Sequence, residues 1–459
     1  MQDVRCKMSD ARCQMHDVRC TMSDARCQMQ DVRCKMSDMI CVRTRGSFGA
    51  FPRRVIAMSY YLPAFANEQG LSRNDLVKKY FHLGFEYKEM LALLYVHHGE
   101  TLSLRHLKRL LRKMNLKRRE GVPDLATVIG MIENELFGSG NCIGYRQMHQ
   151  RLRNDYHLQI NSFRETVRIA LRTLDPEGTE RRKSHRLLRR TYRSQGPNYC
   201  WHIDGYDKLK PFGFCIHGCI DGYSRRIMWL RVASSNNDPA IVADYFAGCI
   251  RMIKGVPRRI RADNGTENVN IEVMQVFLHF GLNDEAAVNN FQYGTSVANQ
   301  RIEAWWSQLR KSNSDFWITY FKDLRDRGLF DDNDLVQCSS LKFCYQGLIQ
   351  DELDKVVKHW NTHRIRPYHN QETPPGRPDV LYNLPSLQGT QDYKSCIDLD
   401  DATFLAEKLC KKPNAFGCTE EFSDMFKMLM EEHNLQMPND VVEAEDLYVN
   451  LIHLTEASL

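Results

Sequence analysis

The chain lacks several features that would have assigned it to a common class of protein. No run of about 18 apolar residues occurs in its 459 residues, so no membrane-spanning segment is predicted. No G-x-x-x-x-G-K-[S/T] loop is present, and an ATP-hydrolysing function therefore has no support. No C-x-x-C pair occurs, so a zinc finger is not expected.

Cysteine, by contrast, is abundant, with 16 residues. The apolar core of a secretory signal peptide is missing from the first residues, so we expect reduced thiols in an intracellular protein and no disulfide framework. Cys215, His217 and Cys219 alternate along one predicted strand and share a face. Burial in the core is the favoured interpretation of these three, with a metal site as the alternative.

Residues 1–57 begin with a seven-residue repeat, written MQDVRCK and MSDARCQ in successive copies. A coiled coil is one interpretation, but a seam of methionine and alanine is weak. Cysteines spaced by seven suit no compact tetrahedral metal site. We therefore expect a disordered, low-complexity leader. An alternative is that the leader is a translated tandem nucleotide repeat and that Met58 is the true start.

Charge is unevenly distributed along the chain, although the net charge is only +6. Residues 100–198 contain 21 Lys and Arg against 10 Asp and Glu, whereas residues 387–459 contain 5 against 15. A basic amino-terminal half combined with an acidic tail favours a nucleic-acid partner. A solvated basic surface without a partner is the alternative.

Residues 70–120 show three short helical patterns that end in a basic helix, which is typical of a helix-turn-helix module. In the third helix, Ser103 is a candidate cap, and four leucines at positions 104, 107, 110 and 111 form the predicted buried stripe. A plain amphipathic helix is the alternative. The predicted DNA-binding residues of this helix are Arg105, Lys108, Arg109, Arg112 and Lys113.

A second helical unit, residues 124–176, has a similar pattern and is a further helix-turn-helix candidate. Residues 177–198 form a basic linker, which we expect to be flexible and to contact phosphates without reading bases. The linker also resembles a nuclear-import signal, so a nuclear location is expected, with the cytoplasm as the alternative. The predicted DNA-binding residues of the linker are Arg181, Arg182, Lys183, Arg189 and Arg190.

Residues 199–325 change to apolar and β-branched runs that alternate with helical patterns, which predicts an α/β domain with a mixed sheet. Gly222-Tyr223 predicts a hairpin turn between the second and third strands. Residues 326–385 are expected to be mostly helical, including one helix over DELDKVVKHWNTHRIRP that ends at Pro367. Residues 386–459 form an acidic tail with partly helical periodicity. This pattern predicts a small helical domain or an interaction tail.

Three acids stand in contexts that suggest one active site. Asp204 and Asp263 end strand-like runs, and Glu303 lies on a helical pattern with Asn299 on the same face. A single aspartate in such a context is more often a turn or cap residue than a metal ligand. Two strand-borne aspartates, a helical glutamate and a basic flank together favour a site for two divalent ions that drives phosphoryl transfer on a nucleic acid.

At these residues the sequence resembles the retroviral-type integrase and DDE transposase superfamily, and in particular the animal cellular proteins with an integrase core domain. The matching stretches are GPNYCWHIDGYDKLKPFG, CIDGYSRRIMWLRVASSN, RIRADNGTEN and NQRIEAWWSQLRK. The resemblance implies an RNase H-like fold with a mixed five-stranded sheet. It also implies DNA as substrate, two Mg²⁺ or Mn²⁺ ions bound by Asp204, Asp263 and Glu303, and a homo-oligomer on DNA ends.

This sequence departs from the retroviral pattern in two respects. The amino-terminal zinc module is missing, and helix-turn-helix units stand in its place. The gap between Asp263 and Glu303 is 39 residues, a little longer than is usual. Other acids therefore stay open as candidates, namely Asp207, Asp221, Asp284 and Glu285.

Two functions from different classes remain after this reasoning. The first is a polynucleotidyl transferase that integrates DNA by two-metal-ion transesterification. The second is a domesticated DNA-binding protein that keeps the fold without strand transfer. A protein-interaction scaffold, supported only by the acidic tail, is a third.

Overall fold

A computed structural model describes residues 71–118, 124–156, 164–181, 192–280, 282, 287–295, 299–367 and 373–458. The leader and most of the basic linker lie outside the described residues. So do the predicted phosphate contacts Arg182, Lys183, Arg189 and Arg190, and the alternative acids Asp284 and Glu285.

The first helical unit consists of three helices, α1 (Arg73–His82), α2 (Tyr87–His98) and α3 (Leu104–Lys113). Side-chain caps define where the helices begin, and Ser103 accepts a hydrogen bond from the backbone N–H of His106, as predicted. Gly99 ends α2 in the left-handed conformation, with φ 66°. The core of this unit also contains Val380 and Leu384, so it packs on the segment 378–384 near the end of the post-core region.

The second helical unit contains α4 (Leu125–Phe137), α5 (Tyr145–Asn154), α6 (Arg164–Leu174) and the short α7 (Pro176–Arg181). Pro176 begins α7 because a first helical position needs no N–H donor. The expectation of a flexible linker from residue 177 is therefore wrong for residues 177–181, which are helical. The unit is joined to the rest of the chain by Arg151, which donates to the carbonyl of Ser312.

The centre of the molecule is a five-stranded mixed sheet in the order β3-β2-β1-β5-β6, which confirms the predicted fold class. β1 pairs with β2 and β2 with β3 in antiparallel fashion, whereas β5 runs parallel to both β1 and β6. The short strands β4 and β7 form a separate ladder. The bounds are β1 (Trp201–Tyr206), β2 (Cys215–Asp221), β3 (Ile227–Ala233), β4 (Gly255–Val256), β5 (Ile260–Asp263), β6 (Phe291–Gly294) and β7 (Ser395–Cys396).

The predicted hairpin between β2 and β3 is present, and a buried aspartate stabilises its turn. Asp221 accepts hydrogen bonds from the backbone N–H and the hydroxyl of Ser224 and from the backbone N–H of Asn198. Arg225 adopts the left-handed conformation at φ 64° in this turn. These hydrogen bonds occupy the carboxylate of Asp221 in the turn. Asp221 is therefore not a candidate ligand of the predicted metal site.

Helices cover both faces of the sheet. One apolar core lies between the sheet and α8 (Pro239–Ile253) with α9 (Val269–Phe280), and it includes Trp201 and Ile203. The opposite core contains α10 (Gln300–Leu309), which continues through a π-helical turn, Arg310–Ser314, into α11 (Asp315–Asp326). Because side chains alternate along β1, His202 and Asp204 lie on the α10 side of the sheet.

The post-core helix α12 (Leu335–Thr362) is longer than predicted: it begins well before Asp351 and ends before Pro367. The short helix α13 (Pro378–Asn383) follows. The acidic segment forms α14 (Leu399–Leu409), α15 (Glu420–Glu432) and α16 (Val441–Ser458). Of these, α14 packs beside α8 and α9, while α15 and α16 join the core around α12.

The described part of the chain contains no helix that is both long and apolar enough to cross a membrane. The nine cysteines whose side chains are described are free thiols, and Cys215 and Cys219 are buried. His217, between them, accepts a hydrogen bond on Nδ1 from the indole of Trp229. These contacts agree with burial in the core and not with metal binding.

Candidate active site

The pairing of β1 with β5 brings two of the predicted acids side by side. The parallel register pairs His202 with Arg261. Two residues further along each strand, the same register places Asp204 beside Asp263. Asp263 is the last residue of β5, as predicted. Asp204, however, is the fourth of the six residues of β1 and does not end the strand.

The third acid comes from α10, which packs on β1. Asn299 precedes the first helical residue, and its carbonyl accepts a hydrogen bond from the backbone N–H of Glu303 at 3.3 Å. Ile302, Trp305, Trp306 and Leu309 are buried behind the exposed Glu303, as the helical spacing predicts. The strand pair and the helix thus direct three carboxylates to one region.

The charges of these carboxylates interact. Burial raises the pKa of Asp204 to about 7, and the negative charges of Glu303 and Asp263 contribute to the rise, against a hydrogen bond from Trp306. Partial burial and the charge of Asp263 also raise the pKa of Glu303. Since mutual repulsion of this kind is relieved by cations, the environment favours a bound positive charge.

The donor set suits hard divalent ions. Carboxylate oxygens are the preferred ligands of Mg²⁺, and Oδ1 of Asp263 is a buried atom with no hydrogen-bond partner among the described residues. Within the same residues, no three His, Cys, Asp or Glu side chains are grouped closely enough to hold one ion as they stand. The three acids therefore form an open arrangement, in which coordination of an ion by more than two of them requires side-chain movement.

Trp306 orients one of the acids. Its indole Nε1 donates to Oδ2 of Asp204 at 2.8 Å. The indole lies over Gly218, which pairs with Asp204 across the β1–β2 ladder. A Cβ on Gly218 would lie 2.7 Å from the ring atom Cη2, so only glycine leaves room for the indole.

Gly218→Ala is therefore expected to displace Trp306 and to lower the free energy of unfolding by about 1–3 kcal/mol, the usual cost of overpacking a core. The matched control is Gly347→Ala in α12, where an added Cβ meets nothing within 4 Å. That variant is expected to be neutral or slightly stabilising. Urea unfolding of both variants tests the prediction, and equal stabilities would contradict it.

Further polar residues surround the three acids. Glu267 follows Asp263 by four residues; burial and the charge of Asp263 raise its pKa, and Asn268 donates to it at 2.7 Å. Sequence reasoning missed Glu267, although its spacing within ADNGTEN was a usable signal. Asp207, a weaker sequence candidate, accepts a hydrogen bond from Asn236 and pairs with Lys210.

The predicted DNA-binding residues of α3 are all exposed, and Leu107 and Leu111 form the buried stripe behind them. The predicted stripe is wrong at Leu104, which is 43% exposed. Arg181 is the last residue of α7. The exposed basic residues are Arg105, Lys108, Arg109, Arg112 and Lys113.

Comparison with known protein families agrees with this geometry. Residues 191–387 match the family model of the integrase core domain. The match is consistent with a relationship to the retroviral-type integrases, and the matched residues contain Asp204, Asp263 and Glu303. The resemblance inferred from the sequence motifs is thus confirmed. None of the curated proteins compared with the chain matches it.

Proposed function

We propose that the protein is a DNA strand transferase of the integrase type, which acts by two-metal-ion transesterification. The observation that carries the proposal is the convergence of Asp204, Asp263 and Glu303 from β1, β5 and α10 within the integrase core domain. Burial of Asp204, together with the negative charges of Glu303 and Asp263, raises the pKa of this carboxyl, and a bound cation would relieve both effects.

Each acid has a distinct part in the proposed site. Asp204 is electrostatically coupled to both other acids, so it is the carboxylate that two ions would share. Asp263 offers Oδ1, which has no hydrogen-bond partner in the part of the chain that the structure describes, and Glu303 lies on the exposed face of α10. When bound, two Mg²⁺ or Mn²⁺ ions would activate a water or a DNA 3′-hydroxyl and stabilise the leaving oxygen. No covalent protein intermediate is required.

The charges are consistent with a nucleic-acid substrate. Three carboxylates offset three of the four positive charges of two divalent ions, and a bound phosphate would offset the remainder. The hydrogen bond from Trp306 restrains Oδ2 of Asp204. In this way the protein limits how Asp204 can bind before the substrate arrives.

Strand-transfer assays with Mg²⁺ or Mn²⁺ test this proposal. Asp263→Asn and Glu303→Gln are each expected to reduce activity at least about a hundredfold, because metal-ion stabilisation of the transition state is worth several kcal/mol. Asp323→Asn on α11, a carboxylate paired with Arg327, is the control and should retain activity. DNA binding by the wild type without strand transfer in either metal would instead identify a DNA-binding protein that keeps only the fold.

DNA binding is proposed to rest on α3 and on the basic linker. The basic side chains of α3 face solvent, and its leucines anchor it to α1 and α2. Exposed lysines and arginines attract phosphates and release counterions on binding. A nuclear location and oligomerisation on DNA ends are part of the same proposal, as the integrase relationship suggests.

Replacing Arg105, Arg109 and Arg112 together by glutamine is expected to weaken DNA binding and to reduce the dependence of affinity on salt. For B-DNA the slope of log K against log salt becomes shallower by roughly 0.9 for each phosphate that the protein no longer neutralises, hence by about 2 to 3 here. Fluorescence anisotropy over a series of salt concentrations measures this slope. An unchanged slope would show that α3 does not bind phosphates.

A further inference from the structure

A buried chain of hydrogen bonds connects the end of the basic linker with the start of the Glu303 helix. The hydroxyl of Tyr192 lies 2.7 Å from Nε2 of His202, and Nδ1 of His202 lies 2.7 Å from Oδ1 of Asn299. Asn299 in turn donates from Nδ2 to the carbonyl of Ile203 at 2.8 Å. His202 and Asn299 are fully buried. The chain runs between strand β1 and helix α10 beside the candidate site.

The partners determine the direction of each hydrogen bond. Nδ2 of Asn299 must face the carbonyl of Ile203, because only the nitrogen can donate, and so its oxygen faces His202. That oxygen only accepts, and therefore Nδ1 of His202 carries the proton. Because charging a fully buried side chain is costly, the ring of His202 is neutral, and its Nε2 accepts from the hydroxyl of Tyr192. Every member thus has one defined role.

Arg301, in the first turn of α10, holds the outer end of this chain. Its guanidinium lies 4.1 Å from the ring centroid of Tyr192 and donates to the carbonyl of Gly222 and to the hydroxyl of Thr373. Tyr192 is therefore held from two sides, by His202 through its hydroxyl and by Arg301 through its ring. The two residues that flank the start of α10, Asn299 and Arg301, both connect to Tyr192.

We propose that Tyr192, His202 and Asn299 form a relay of positioning residues that fixes the first turn of α10 against β1, and so sets the position of Glu303 relative to Asp204. This inference rests on the proposed function, because it assigns the relay to the metal-binding acids. Asn299 lies one helical turn before Glu303, and the carbonyl of Asn299 already accepts from the backbone N–H of Glu303. A shift of Asn299 therefore moves the glutamate backbone directly.

The relay also places Tyr192, a residue of the basic linker, in contact with strand β1. His202 and Asp204 lie on the same face of β1, two residues apart. Through His202, Tyr192 therefore connects to the face of β1 that carries Asp204.

Tyr192→Phe in the full chain tests the relay, because it removes the hydroxyl and keeps the ring for Arg301. We expect Mn²⁺ affinity, measured by calorimetry, to fall on the order of tenfold, as for other residues that orient metal ligands. Amide hydrogen exchange in residues 299–306 of the metal-free chain should also become faster. Tyr199→Phe is the matched control, since that ring packs on Tyr393, away from α10. Asn299→Leu is a second variant and should reproduce both effects.

The outcomes separate the relay from the proposed function. Weaker Mn²⁺ binding with faster exchange in Tyr192→Phe, and neither change in Tyr199→Phe, supports the relay. Equal Mn²⁺ affinity in the two phenylalanine variants overturns it, even if exchange becomes faster, because the chain of bonds would then be merely structural. If wild type binds Mn²⁺ no better than Asp204→Asn does, the metal site itself is refuted, and the relay loses its role with it.

Discussion

Asp204→Asn is expected to abolish strand transfer while making the metal-free protein more stable above pH 7. The two effects have one cause, which is that the carboxylate is buried next to two other acids. Asparagine has nearly the same shape and still accepts the hydrogen bond from Trp306, so the core should not be disturbed. The substitution removes the negative charge, which the proposed metal ions require and which burial next to two other acids disfavours.

The sign of the pH dependence follows from the direction of the pKa shift. The pKa of Asp204 is raised from 3.8 to about 7, so between these values the folded protein holds a proton that the unfolded chain has lost. Stability is therefore lost as pH rises from about 4 to 7, by up to about 4 kcal/mol. Asparagine does not titrate, and the variant should exceed wild type by a margin that grows over this range.

Urea unfolding at several pH values between 4 and 8, with and without Mn²⁺, measures this margin. Added Mn²⁺ should stabilise wild type at pH 8 and stabilise Asp204→Asn much less, since the variant lacks the carboxylate that the two ions would share. A wild type that is as stable as the variant at pH 8 without metal would contradict the prediction.

Asp221→Asn is the matched control, because Asp221 is another buried aspartate, on the neighbouring strand, whose pKa burial raises to about 6. It differs from Asp204 in accepting hydrogen bonds from two backbone N–H groups and a hydroxyl. An amide nitrogen cannot replace all these acceptors, so this variant should lose about 1–3 kcal/mol. A gain in the free energy of unfolding for Asp204→Asn and a loss for Asp221→Asn would distinguish a residue of the metal site from a residue that stabilises a turn.

Asp379→Leu is expected to destabilise the protein by about 3–5 kcal/mol, because it leaves the guanidinium of Arg226 buried without its counter-charge. Oδ1 of Asp379 accepts from Nε of Arg226 at 2.9 Å, and the two side chains are 3% and 1% exposed. The guanidinium also lies 5.1 Å from the ring centroid of Tyr382. The ion pair joins helix α13, which contacts the first helical unit, to the beginning of β3.

The double variant Arg226→Met with Asp379→Leu should recover most of the lost stability, since an apolar pair of similar volume avoids the desolvation of both charges. Urea unfolding of the single and double variants measures the coupling between the two positions. Glu445→Gln, which removes the partly exposed partner of Arg327, is the control and should cost at most about 1 kcal/mol. A decrease below about 1 kcal/mol in Asp379→Leu would show that the pair does not hold the two parts together.

Much of the fold was predictable from local patterns. The alternation of Trp201 and Ile203 with His202 and Asp204 placed the acid on a defined face of the sheet, because strand side chains alternate regardless of the rest of the fold. Ser103 marked the start of a helix, because its hydroxyl can accept a hydrogen bond from a free backbone N–H. The motifs around Asp204, Asp263 and Glu303 indicated an integrase core, since their residue types and order were sufficient for the resemblance.

Other features depend on contacts between residues far apart in the chain. Residue type alone did not show that Asp221 caps a turn, that Trp306 binds Asp204 over Gly218, or that Asn299 joins Glu303 to Tyr192 through His202. The sequence pattern of the acidic tail likewise predicted a separate small domain or an interaction tail. In the structure, its helices pack on both faces of the core. The sequence by itself determined the strands, the helix faces and the identity of the acids, because these follow from periodicity and chemistry. Only the tertiary structure decided which acids meet and what holds them, because burial and hydrogen-bond partners are set by the packing of elements remote in sequence.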